Sequence, residues 1–82
     1  MSKKITIYYS DSCGHCTNLK EWLTEKDVPF TALNSSEPDV TKFLIERDVQ
    51  GVPFTIIEDE LTGEKEEITG FGQAKFESIL GL

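Results

Sequence analysis

Two cysteines three positions apart, Cys13 and Cys16, follow directly behind the apolar run Ile5-Thr6-Ile7-Tyr8-Tyr9, and they are the only cysteines in the chain. Two thiols at this spacing, at a strand-to-helix junction, suit reversible disulfide chemistry. Their sulfurs can meet without the domain unfolding. The first thiol falls at a helix start, where backbone N–H groups and a partial positive charge favour a thiolate. The second falls one helical turn further in. So short a loop closes little chain and gains little entropic stabilisation when bridged. The pair therefore reads as catalytic rather than structural, and a catalytic pair fits a reducing compartment.

The 82 residues suffice for one domain, 1–82, with a modest core. Acidic side chains outnumber basic ones 15 to 8, for a net charge of −7. That balance argues against nucleic-acid binding, which needs a basic patch. Its plain effect is solubility, with mild steering toward a basic partner face. No apolar run approaches the roughly 18 residues of a membrane span. The lysines in Met1-Ser2-Lys3-Lys4 resemble the start of a signal peptide. Residues 5–9 are too short for its apolar region, and cleavage there would remove the cysteines. The expectation is a cytoplasmic monomer without a membrane partner.

Periodicity organises the rest. Residues 4–9 read as a buried strand, ended by Ser10-Asp11-Ser12, with Asp11 or Ser12 as the cap of the next helix. That helix is expected from Gly14 to about Lys26. Cys16, Leu19 and Leu23 recur at helical spacing and should face a sheet, flanked by Trp22. Residues 28–33 read as a second strand, opened by Val28-Pro29. Ser36 is expected to cap a second helix, with Pro38 early in it and Val40, Phe43, Leu44 and Arg47 on one face, ending near Gln50-Gly51. Residues 54–57 form a third strand and 59–63 a turn. Residues 64–69 form a fourth strand, polar enough for an edge. The last helix runs from Gln73 to Leu80, with Phe76, Ile79 and Leu80 on one side. The order β-α-β-α-β-β-α makes the first two strands parallel and the last two an antiparallel hairpin.

With this order, three motifs resemble the thioredoxin fold in its minimal, glutaredoxin-like form. They are Tyr8 five residues before Cys13-Gly14-His15-Cys16, Gly51-Val52-Pro53 before the third strand, and Gly70-Phe71 before the last helix. The resemblance implies an α/β fold: a four-stranded mixed sheet flanked by three helices. It implies a cis bond before Pro53, a loop lying against the dithiol, and a pre-proline residue, Val52, that pairs with substrate backbone. Glutathione-dependent members carry a lysine where Ser10 stands, a threonine where Gly51 stands, and an acidic pair near Gln73. These anchors are missing here. The stretch Thr69-Gly70-Phe71 is more similar to the glutaredoxin-like hydrogen donors of ribonucleotide reductase, which thioredoxin reductase reduces. Gly14-His15 is the dipeptide seen between the cysteines of protein disulfide isomerases, a local similarity only.

The expected chemistry is reduction or exchange of protein disulfides. Cys13 attacks and Cys16 resolves; no cofactor is bound beyond the redox-active Cys13–Cys16 disulfide. Electrons come indirectly from NADPH through thioredoxin reductase or glutathione. Gly14 and His15 are expected to modulate the redox potential. His15 either stabilises the Cys13 thiolate, making the couple more oxidising, or is a solvated loop side chain. Dithiols of this kind span roughly −270 to −120 mV, and this one is expected above the low end. Tyr9, Val52, Pro53, Gly70 and Phe71 are the candidate substrate-binding residues. Phe71 is either an exposed contact or packing under the last helix. Tyr8 and Trp22 are expected to serve packing. Lys20, one turn beyond Cys16, reads as a solvated side chain rather than a proton relay.

Three other classes fit less well. A zinc site has Cys13, His15 and Cys16 but lacks a fourth ligand. An iron–sulfur carrier would bridge two chains with glutathione, whose anchors are missing. A non-catalytic binding module would not need an intact dithiol. Within the redox reading, the alternative is a glutathione-dependent glutaredoxin.

Overall fold

A computed structural model describes residues 3–81. Met1 and Ser2, weighed above as the start of a targeting signal, lie outside those residues, as does Leu82. The elements are β1 (Lys3–Tyr9), α1 (Gly14–Glu25), β2 (Thr31–Asn34), α2 (Pro38–Glu46), β3 (Phe54–Asp59), β4 (Lys65–Thr69) and α3 (Gln73–Leu80). The strands stand in the order β2-β1-β3-β4. β1 runs parallel to β2 and antiparallel to β3, and β3 runs antiparallel to β4. This is the mixed α/β sheet with three helices that the sequence implies.

Alternation along the strands makes two cores, one on each face of the sheet. Ile5, Ile7, Ile57 and Ile68 point to one face, where Leu19 and Leu23 of α1 and Phe76 and Leu80 of α3 cover them. Tyr8 and Phe54 point to the other, against Leu44 of α2. Phe43 stacks on Tyr8 with ring centres 5.2 Å apart. The Arg47 guanidinium lies over Phe43 and pairs with Glu67 on the edge strand β4. Burial pushes the Tyr8 phenol up, while Arg47 pulls it down.

Several boundaries differ from the sequence reading, for identifiable reasons. α1 is capped not by Asp11 or Ser12 but by Cys13, whose backbone is extended and whose sulfur accepts the Cys16 N–H. The second strand starts at Thr31 rather than Val28. Asp27 adopts a left-handed φ of 60°, and the Val28 N–H turns back to the Leu23 carbonyl, so Val28 belongs to the helix end. α2 ends at Glu46, short of Gln50-Gly51, by the same device: Asp48 has φ 57° and the Val49 N–H bonds to the Leu44 carbonyl. Ser36 does not cap α2. The residue ahead of Pro38 is Glu37, which makes no side-chain cap bond, while the Ser36 N–H and hydroxyl both donate to the Asn34 side-chain oxygen. β3 runs on to Asp59, whose carboxylate receives the Leu61 and Thr62 N–H groups in the hairpin turn. Those bonds, led by Leu61, hold the Asp59 carboxyl below its ordinary range, assisted by Lys3.

Candidate active site

The site forms where β1 ends and α1 begins. The chain leaves Tyr9 through a tight turn in which the Cys13 N–H donates to the Ser10 carbonyl and the Ser12 N–H to the Ser10 hydroxyl. This turn sets Cys13 at the mouth of α1, half-buried. Its sulfur lies between two backbone groups. It accepts the Cys16 N–H at 3.1 Å and donates its own proton to the Val52 carbonyl at 3.7 Å. An N–H donor and the positive end of a helix thus face the sulfur from one side. Cys16, one turn in, has no solvent exposure. Burial pushes its thiol up to about 11, and its contact with Cys13 adds to that. The Ser10 backbone and the Lys20 ammonium pull the other way. Both thiols are free.

The Val52–Pro53 loop forms the second wall. Its peptide bond is cis, Pro53 is buried, and the Pro53 carbonyl accepts the Gly70 N–H at 2.7 Å. Gly70 stands in the left-handed region at φ 86°, which an L side chain reaches only with strain. This turn lets the chain leave β4 beside the proline and lead Phe71 onto α1. The Phe71 ring then packs on Trp22 at 5.8 Å and Phe76 at 6.1 Å, half-buried in the closed core. Val52, Pro53, Gly70 and Phe71 thus form one continuous border beginning at the Cys13 sulfur.

Tyr9 makes a contact of its own. Its half-buried ring lies beneath the Lys20 ammonium, 3.8 Å from the ring centre. Lys20 is not freely solvated, as its sequence position suggested, but half-buried and held on an aromatic face. Gly14 opens α1, and a Cβ there would meet nothing within 4 Å, so space does not demand a glycine. His15 is exposed in the first turn. Among the described residues, the hydrogen bonds on the Cys13 sulfur come from Cys16 and Val52, not His15.

One contributor escaped sequence reasoning. Asn34, the last residue of β2, donates its side-chain amide to the Asp11 carboxylate at 3.2 Å while its oxygen holds Ser36. It ties the turn before Cys13 to the loop before α2. Its spacing from Asp11 follows no local period, so only its turn-forming residue type could have signalled it. Among the described residues, no group of three or more His, Cys, Asp or Glu gathers to hold a metal, and no helix is long and apolar enough to cross a membrane.

A buried thiol behind a half-buried one, at the head of a helix and against a cis-proline loop, defines a dithiol site of the thioredoxin-fold class. The chain belongs to the glutaredoxin family, whose model matches residues 5–62. It is similar to the glutaredoxin-like protein NrdH of Lactococcus lactis subsp. cremoris, with 29% identity over 56 residues, covering 67% of this chain and 78% of that one. Among solved structures it resembles glutaredoxin 1 from Francisella tularensis, determined in complex with cacodylate. The TM-score is 0.71 at 25% identity, over 98% of this chain and 99% of that one. Thioredoxin O2 from Arabidopsis thaliana shares the fold, with a TM-score of 0.73 at 20% identity over 96% of this chain and 72% of that one.

Proposed function

We propose that this protein reduces or exchanges protein disulfides through Cys13 and Cys16 and is recycled by thioredoxin reductase. The Cys13 thiolate attacks a substrate disulfide and forms a mixed disulfide. Cys16 then attacks the Cys13 sulfur, releases reduced substrate, and leaves the Cys13–Cys16 disulfide. The reductase restores both thiols with electrons from NADPH. The carrying observation is the Cys13 sulfur held between the Cys16 N–H and the Val52 carbonyl, with the Cys16 thiol buried directly behind. A substrate disulfide approaching along Val52 meets Cys13 first. The cycle suits a cytoplasmic monomer.

The choice of reductant rests on what surrounds the dithiol. Glutathione is a small charged tripeptide that needs fixed anchors. Ser10, Gly51 and Gln73 stand where glutathione-dependent relatives carry theirs, and none of the three is charged. The similarity to NrdH supports the same reading. Glutathione-dependent reduction is the second reading, favoured by the end-to-end likeness to a glutaredoxin 1.

The test follows NADPH oxidation with insulin or another model disulfide. One arm supplies thioredoxin reductase, the other glutathione with glutathione reductase. Turnover in the first arm and at least about tenfold less in the second is expected, a difference of about 1.4 kcal/mol in barrier. Faster turnover with glutathione overturns the choice of reductant. Turnover in neither arm overturns the oxidoreductase reading.

A further inference from the structure

Resolution of the mixed disulfide requires a Cys16 thiolate, and burial of the side chain works against one. The side chain has no solvent exposure, and its thiol sits at about 11. Burial thus leaves the thiolate a minority form at neutral pH. A buried anion needs a fixed positive charge, and the flexible, strongly hydrated ammonium of an ordinary surface lysine is a poor one.

Lys20 is not ordinary. It lies four residues after Cys16 in α1, on the same side of the helix and one turn further along. Its ammonium rests 3.8 Å from the centre of the Tyr9 ring. Tyr9 closes β1 immediately before Ser10, whose backbone faces the Cys16 sulfur. The ring therefore holds the lysine against the end of β1, the strand that leads into the Cys13 turn, and limits its motion into water. The lysine also acts on Cys16 in the right direction, lowering its pKa.

We propose that Lys20, pinned by Tyr9, is a positioning residue for the resolving step, the fixed charge that stabilises the Cys16 thiolate as it attacks the mixed disulfide. This rests on the reading of Cys13 and Cys16 as a working dithiol. In the step, the Cys16–Cys13 bond forms as the bond from Cys13 to the substrate sulfur breaks. The substrate leaves as a thiolate with the electron pair of that bond. The proton that Cys16 loses to solvent is matched by the one the departing thiolate gains. Lys20 remains an ammonium ion throughout, so the lysine acts by charge and not by proton relay.

The test separates the two half-reactions in single turnovers against a fluorescent protein disulfide. Mixed-disulfide formation is read by trapping and gel shift, and resolution by release of the labelled product. Cys16→Ser serves as the reference that forms the mixed disulfide and cannot resolve it. Lys20→Met is expected to form it at the wild-type rate and resolve it about tenfold more slowly, as loss of one nearby charge in a partly screened site implies. Lys20→Arg is expected to restore most of the rate. Tyr9→Leu keeps the lysine, frees it, and is expected to slow resolution about threefold. Wild-type resolution in Lys20→Met overturns the assignment, as does an equal slowing of both half-reactions or failure of arginine to rescue. If Cys16→Ser forms no mixed disulfide at all, the dithiol reading itself has failed.

Discussion

The two faces of the sheet are closed in different ways. One lies under two helices, and Ile7, Leu19, Leu23 and Phe76 on it have no exposure at all. Three aromatic rings, Trp22, Phe71 and Phe76, interlock along its rim. The other face lies under α2 alone, nine residues long. Its buried residues are the short line of Tyr8, Leu44 and Phe54, with Val40, Phe43 and Ile56 among the half-buried side chains around them. Beyond the end of α2 the sheet opens into a shallow cleft of about 210 Å³, bordered by Lys4, Thr6, Glu58 and Lys65. The closed face also carries Cys16 on α1, and Phe71, at the end of the site border, packs into its core. The tighter packing thus lies on the side of the buried thiol, and the thinner face is the opposite side of the same strands.

The largest break in that comparison is expected from Phe76→Ala, which should cost about 3–5 kcal/mol, against about 2 kcal/mol for Leu44→Ala on the thinner face. For a small domain the first loss is a large share of total stability. Urea unfolding under reducing conditions checks both, and equal losses would mean that α2 closes its face as fully as the helix pair does. Alkaline pH should strain the closed face next. The Cys16 thiol lies at about 11 in the fold, against about 9 ordinarily. Its native pKa is raised, so the contribution is complete below about pH 9 and is lost as pH rises toward 11. Between pH 8 and 10.5 the wild type should lose about 2 kcal/mol more than Cys16→Ala; parallel losses would show that the thiol ionises as freely in the fold as out of it. The smallest effect has the opposite sign. Thr55 sits fully buried between Ile7 and Ile68, its hydroxyl without a partner among the described residues. Thr55→Val keeps the shape and removes that hydroxyl, so it should stabilise by about 1 kcal/mol. A melting temperature that falls instead would reveal a partner for the hydroxyl in solution.

The element order and the dithiol were legible because both rest on local signals. Apolar runs of period two and clusters of helical period mark the elements, and the spacing of Cys13 and Cys16 marks the site. Helix ends were less legible. Asp48 takes the left-handed turn that glycine usually takes, so the expected second helix runs past it to Gln50-Gly51; the same turn at Asp27 carries Val28 back onto α1, where a strand was expected to begin. A thiol as helix cap was missed because hydroxyl and carboxylate caps stood beside it at Asp11 and Ser12. The remaining misses are pairings between distant segments. Lys20 meets Tyr9 and Asn34 meets Asp11 only once β1, β2 and α1 have come together, and no local period encodes such meetings.

The Asn34 side chain has a chemical consequence of its own. Its oxygen is fixed toward the Ser36 N–H, so its nitrogen must face Asp11. An amide satisfies both neighbours, and its isosteric acid does not. Hydrolysis to aspartate, the slow ageing to which asparagine is prone, would add only one charge and almost no volume. It would nevertheless set two carboxylates against each other across the 3.2 Å now bridged by a hydrogen bond. The turn that presents Cys13 would then lose its tie to the loop before α2, through one amide on the surface side of the site.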